Sequence, residues 1–143
     1  MAMEASEIER LIKEAIPDIA VNDIESSKKL FAKILGKEAY KSESIDSEGV
    51  MTTFFQVGNN KIELLVSTKE NSPISKYLKK HKESMHHIAF SVDDIQKEMT
   101  RLSGEGIRLL NEVPKKGADN KLICFLHPQD TNGVLIELCQ EIK

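Results

Sequence analysis

The residues best suited to chemistry are a histidine and two glutamates set in apolar, strand-like segments. Glu137 lies in Gly133-Val134-Leu135-Ile136-Glu137-Leu138-Cys139, and Glu63 in Lys61-Ile62-Glu63-Leu64-Leu65. Side chains alternate along a strand, so Leu135, Glu137 and Cys139 share one face while Val134, Ile136 and Leu138 share the other. A carboxylate buried alone costs several kcal/mol, so each glutamate is either paired, metal-bound or catalytic, or its face is solvated. His86 and His87 open another strand-like run and point to opposite faces. Ala89 and Ser91, small or polar, accompany His87 and mark it as the one that faces a cavity. A lone strand histidine reads as an ordinary core or surface residue. One imidazole beside two inward carboxylates suits a divalent ion such as Zn²⁺, Co²⁺, Mn²⁺ or Ni²⁺.

What positions these side chains is an internal repeat. Ile16-Pro17-Asp18-Ile19-Ala20-Val21-Asn22-Asp23-Ile24 lies over His87-Ile88-Ala89-Phe90-Ser91-Val92-Asp93-Asp94-Ile95, 71 residues apart, with Val, Asp and Ile recurring in place. Each copy reads as a buried strand followed by a helix start that Asn22 or Asp93 can cap, with Glu25 or Gln96 three residues on. The first helix carries Ile24, Ser27, Phe31 and Ile34 on one face and ends at Gly36. The second carries Ile95, Met99 and Leu102 and ends near Gly104 or Gly106. Strands are predicted over Glu38–Ile45, Val50–Val57 and Lys61–Val66 in the first half. In the second they are predicted over Ile107–Val113, Lys121–Leu126 and Val134–Cys139. Each half therefore reads βαβββ, and the fold class is α+β. The halves run over about 16–67 and 86–141, joined by a linker helix over about 73–81 after Ser72. Residues 1–15 stand outside the repeat. Ile8, Leu11, Ile12 and Ala15 follow helical spacing, and Pro17 stops the run, which predicts an amphipathic N-terminal helix over Glu4–Ala15.

A length of 143 residues fits one domain, here 16–143 beyond the N-terminal helix. With 40% hydrophobic and 30% charged residues, the composition is that of a globular protein able to bury its own core. No apolar run approaches the ~20 residues of a membrane span, and Met1–Lys13 lacks the apolar region of a secretory signal, so a cytoplasmic, membrane-free protein is expected. Cys124 and Cys139 lie in apolar runs without CxxC spacing and read as reduced core thiols. A formal net charge of −3 without a long basic block argues against a nucleic-acid partner.

Several segments carry a family resemblance. They are Val57-Gly58-Asn59-Asn60-Lys61-Ile62-Glu63-Leu64-Leu65, Asn71-Ser72-Pro73-Ile74 and Met85-His86-His87-Ile88-Ala89-Phe90. The longest is Phe125-Leu126-His127-Pro128 leading into Gly133-Val134-Leu135-Ile136-Glu137-Leu138, with Gly117-Ala118 upstream. Over about residues 16–140 the chain resembles the vicinal oxygen chelate superfamily of glyoxalase-like proteins and, within it, the methylmalonyl-CoA epimerases. The resemblance implies two βαβββ modules in tandem forming a curved, partly open mixed sheet, a homodimer, and an acyl-CoA substrate. It also implies one divalent metal per site (Co, Zn, Mn or Ni), held by His87, Glu63 and Glu137. Two positions depart from the pattern. Ile16 stands where the fourth ligand, a histidine, is expected, which weakens the metal site. Asp18, two residues on and on the same face, can supply an oxygen in its place. Ser47 stands where the catalytic glutamate of a Glu-x-Gly-Val loop is expected, and Glu48 follows it.

The implied chemistry is inversion at C2 of a 2-carboxyacyl-CoA by metal-assisted proton abstraction through an enediolate. Glu137 serves one face of the planar intermediate and Glu48 the other. Lys115, Lys116 and Lys121, near the Gly117-Ala118 loop, are candidates for the acyl-CoA phosphates. The competing readings are a glyoxalase-type lyase and a metal-depleted or repurposed, non-catalytic binding member of the superfamily, the latter favoured by Ile16 and Ser47.

Overall fold

A computed structural model describes residues 12–143. Its elements are β1 (Ile12–Ala20), α1 (Ile24–Leu35), β2 (Lys41–Ile45), β3 (Val50–Val57), β4 (Asn60–Ser67), α2 (Pro73–His81), β5 (Ser84–Val92), α3 (Ile95–Gly104), β6 (Lys115–Gly117), β7 (Lys121–Leu126) and β8 (Ile136–Glu141). Short 3₁₀ turns cover Asp46–Glu48 and Pro128–Asp130. The described chain divides into two compact units, one of Ile16–His86 and one of His87–Lys143 together with residues 12–15.

The two units share one connectivity. In the first the strand order is β2-β3-β4-β1, and in the second β6-β7-β8-β5. β1 pairs parallel with β4, and β5 parallel with β8; the remaining neighbours are antiparallel. The registers reproduce the repeat: Asp18 lies opposite Glu63, and Ala89 lies opposite Glu137. Ile16 and His87 are thus equivalent positions, each two residues before that rung. The fold is α+β, of the glyoxalase-like type.

Alternation assigns each sheet face. In the first unit Val21, Phe55 and Leu64 pack with Ile24, Phe31, Ala32 and Leu35 of α1. Ala20 and Leu65, on the opposite face, meet Tyr77 and Leu78 of α2. In the second unit Cys124, Leu126 and Leu138 pack with Ile95, Met99 and Leu102 of α3. The expected α1 face was off by one residue at its end: Ile34 is 65% exposed and Leu35 packs instead. Leu35 completes the i, i+7, i+11 series from Ile24, which keeps the apolar stripe over the sheet. The thiols are buried and form no disulfide.

Three further expectations need correction. The caps fall one residue later than read: the Asp23 carboxylate accepts from Ser26 N–H at 3.1 Å and that of Asp94 from Lys97 N–H at 3.0 Å. Asp23 and Asp94 are themselves extended (φ −128° and −137°), as a cap residue must be. Ile12–Ala15, read as the end of a helix, are the start of β1, so β1 crosses the expected boundary between 15 and 16; residues 4–11 of that predicted helix lie outside the described residues. From Glu14 on, alternate positions bury Ile16, Asp18 and Ala20, and this two-residue period overrides the helical spacing.

The strand expected over Ile107–Val113 is also absent. Only a bridge of Leu109 to Leu126 forms there, and β6 begins at Lys115. Leu110 N–H donates to Phe125 C=O at 2.8 Å, but Phe125 N–H donates to the Asn111 side chain at 3.0 Å in place of a backbone acceptor. Pro114, with no N–H to give, separates this segment from β6. The linker helix and the strands Val50–Val57 and Lys121–Leu126 match their expected bounds.

Candidate active site

In the second unit the face opposite α3 carries His87, Ala89 and Ser91 on β5, Glu137 and Cys139 on β8, and Lys121, Ile123 and Phe125 on β7. His87 and Glu137 meet on it: Nε2 stands 3.2 Å from Oε1, with side chains 8% and 14% exposed. The Phe125 ring meets the imidazole edge-on at 5.4 Å and 78°, because Phe125 is the register partner of Glu137. His86 points the other way, onto Tyr77, with ring centroids 4.7 Å apart.

The Phe-Leu-His-Pro motif explains how Glu137 is held. His127 Nδ1 accepts from Gln129 N–H at 3.2 Å, and Pro128 C=O accepts from Gly133 N–H at 2.8 Å. Gly133 is left-handed at φ 79°, a conformation glycine adopts without penalty. Thr131 Oγ1 donates to Val134 C=O at 2.6 Å, and Ile88 N–H to Leu135 C=O at 3.2 Å. This turn delivers β8 beside β5 in the register that sets Glu137 against His87. Asp130 locks it from outside, accepting from Arg108 N–H and Nε at 2.9 Å each. The Arg108 guanidinium pulls the Asp130 carboxyl down to about 2. Phe125 stands in the Phe-Leu-His-Pro motif, which by itself assigns it no role, while nothing local to Arg108 or Thr131 signals theirs.

In the first unit Glu63 lies on the face away from α1, between Asp18 on β1 and Phe54 on β3. Asp18 is 2% exposed and Ile16 fully buried. Asp18 therefore shares a rung with Glu63, while the position equivalent to His87 is apolar. Glu48 is exposed on the 3₁₀ turn that ends at Gly49. Gly49 is left-handed at φ 62°, and a Cβ there would stand 3.0 Å from Ser72 Cβ. The turn is pinned by Lys69 Nζ donating to Asp46 C=O at 2.6 Å.

The donor types suit a borderline divalent ion: an imidazole nitrogen and a carboxylate oxygen already face each other at His87 and Glu137. Among the described residues no three His, Cys, Asp or Glu side chains are gathered closely enough to hold an ion. Of the three lysines, Lys115 and Lys116 are exposed, but Lys121 is buried at 4% exposure, so a surface role beside a phosphate does not fit it. It opens a strand whose alternate positions face inward, which the sequence reading passed over. Among the described residues no helix is long and apolar enough to cross a membrane.

Residues 18–125 match the Glyoxalase/Bleomycin resistance protein/Dioxygenase superfamily. The chain is 40% identical over 124 residues to the ethylmalonyl-CoA/methylmalonyl-CoA epimerase of Cereibacter sphaeroides, covering 85% of this chain and 92% of that one. The solved methylmalonyl-CoA epimerase of Mycobacterium tuberculosis superposes with a TM-score of 0.88 at 30% identity, covering 99% of this chain and 94% of the other. A variant of the Streptomyces coelicolor methylmalonyl-CoA epimerase, solved in complex with 2-nitronate-propionyl-CoA, gives 0.86 at 29% identity, covering 92% and 95%. The chain belongs to the Glyoxalase/Bleomycin resistance protein/Dioxygenase superfamily and, within it, to the methylmalonyl-CoA epimerase-like branch. Its relatives support an enzyme of the epimerase type.

Proposed function

We propose that this protein inverts C2 of methylmalonyl-CoA or a closely related 2-carboxyacyl-CoA by removing the C2 proton and returning one to the opposite face. The observation that carries the reading is the His87–Glu137 pair, 3.2 Å apart on the sheet face that α3 leaves uncovered. The proton lies between a thioester and a carboxylate, so its removal leaves an enediolate whose negative charge must be stabilised. Glu137 is the acid and base for one face, held in place by β8 and by the imidazole beside it. Glu48 is assigned to the other face, on the turn before β3. A divalent ion (Co, Zn, Mn or Ni), when bound by His87, Glu63 and Glu137, would supply Lewis acidity to the substrate oxygens. Asp18, on the same rung as Glu63, is the proposed substitute for the ligand absent at Ile16. Lys115 and Lys116, exposed on β6, are assigned to the acyl-CoA phosphates. The reading includes a homodimer in the cytoplasm.

Epimerisation of a single methylmalonyl-CoA epimer, followed with and without added Co²⁺, tests this assignment. Conversion to the mixture supports it. Turnover of a glutathione hemithioacetal without epimerisation would replace it by the lyase reading. A second reading, a non-catalytic binding member, is favoured by Ile16, fully buried and apolar where the repeat carries His87. Tight acyl-CoA binding with no turnover under any of the four metals would establish it.

A further inference from the structure

Lys121 is a buried cation that the mechanism above leaves unused. It is 4% exposed and opens β7 directly after the Asp119-Asn120 turn, both residues of which are left-handed at φ 60° and 53°. That turn fixes the register, and the register sends Lys121, Ile123 and Phe125 to the face that carries His87 and Glu137. The residue opposite Lys121 on β8 is Glu141, and on β6 it is Gly117, which has no side chain. The ammonium does not pair with Glu141. Its hydrogen-bond partner among the described residues is Cys139 Sγ, at 4.0 Å, one rung nearer to Glu137. A thiol is a weak acceptor and no counter-charge, and a buried ammonium without an anion is costly. The side chain thus leans along the face toward the acid–base pair, carrying a charge that no ion pair among the described residues neutralises.

We infer that Lys121 is an anion receptor within the candidate active site and takes the free carboxylate of the 2-carboxyacyl substrate. The inference rests on the epimerase reading for the nature of that substrate. Cys139 and Glu137 are neighbours on one face of β8, so their Cα atoms are roughly 7 Å apart. That is a span suited to an acid–base group on one side of C2 and a cation on the carboxylate attached to C2. The CoA phosphates are many bonds from C2, and exposed lysines suit them better than one buried at 4% exposure. Lys121 therefore selects for a carboxylate on the acyl group, and acyl-CoA thioesters lacking it form the discriminated class.

The test compares methylmalonyl-CoA with propionyl-CoA, which lacks the carboxylate, by calorimetric titration of wild type, Lys121→Met and Lys121→Arg. Wild type is expected to bind methylmalonyl-CoA more tightly. Lys121→Met is expected to lose roughly tenfold to a hundredfold on that ligand and less than twofold on propionyl-CoA, with Lys121→Arg recovering part of the loss. Because Met removes an unpaired buried charge, its thermal midpoint is expected to equal or exceed that of wild type. An equal loss on both ligands, no loss on either, or a lowered midpoint in both variants would overturn the assignment of Lys121. A wild type that fails to prefer methylmalonyl-CoA would instead overturn the substrate reading on which it rests.

Discussion

Replacing Ile16 by histidine asks whether the two halves are truly equivalent and whether the first has lost a ligand. Asp18 opposite Glu63 and Ala89 opposite Glu137 make Ile16 the counterpart of His87, and Ile16 is fully buried. Without metal, the new imidazole replaces apolar packing with a buried polar ring, at a cost of about 1–3 kcal/mol before any bond to Glu63, which faces position 16 as Glu137 faces His87. At this chain length 1 kcal/mol is worth about 3–5 °C, so the metal-free Ile16→His protein should melt about 3–15 °C below wild type. Metal binding returns RT ln(1 + [M]/Kd), or about 2.7 kcal/mol at a hundredfold excess over Kd. The variant should therefore show a larger Co²⁺-dependent rise in Tm than wild type, together with a lower Kd by titration. Differential scanning calorimetry of chelator-treated protein across a Co²⁺ series gives both quantities. A variant with an unchanged Kd and the same Co²⁺ response as wild type would refute the equivalence of Ile16 and His87 as metal-facing positions.

Further expectations follow from the same geometry. Glu137→Gln keeps the shape of the side chain but removes its capacity to accept a proton, and kcat for epimerisation should fall ~10²–10⁴-fold with the fold intact by circular dichroism. Asp130 should titrate near 2 in a carboxyl NMR experiment. Since the folded value lies below the ordinary ~3.9 of a free aspartate, its stabilising bond to Arg108 is fully present above that pH and is lost as pH falls through about 2. In Asp130→Asn that carboxyl titration should vanish along with its share of the acid sensitivity. Gly49→Ala should lower stability by about 1–3 kcal/mol in urea titrations, combining the left-handed backbone with the 3.0 Å approach to Ser72 Cβ. Gly58→Ala, left-handed but in open space, should cost less.

The repeat was readable because it is written in the strongest local signals. These are apolar runs of strand length, Asp at helix starts, and a Ser-Pro start for the linker helix. Period-2 alternation also singled out His87 over its neighbour and placed Glu137 inward, and the two do meet. Local pattern misleads where tertiary pairing outweighs it. Ile12 and Ala15 fit a helical stripe, but the strand that continues into Asp18 and Ala20 claims them. Ile107–Val113 is apolar enough for a strand, yet the Asn111 side chain takes a backbone role and Pro114 separates the segment from β6. The alternation of β7 puts Lys121 on the inward face, but the depth of its burial depends on neighbours distant in sequence, Cys139 among them. Glu48 could be placed from sequence in an Asp/Ser/Glu-rich turn, and it is exposed there.

The central claim, that this sheet face moves the C2 proton of a 2-carboxyacyl-CoA, is tested most directly by hydrogen exchange. Methylmalonyl-CoA is incubated in D₂O with the Co²⁺-supplemented protein, and C2 deuterium is read by mass spectrometry against the Glu137→Gln variant. The account predicts deuterium at C2 with wild type, accumulating far faster than with the variant. Wild type and variant both at the rate of the protein-free solution would contradict it.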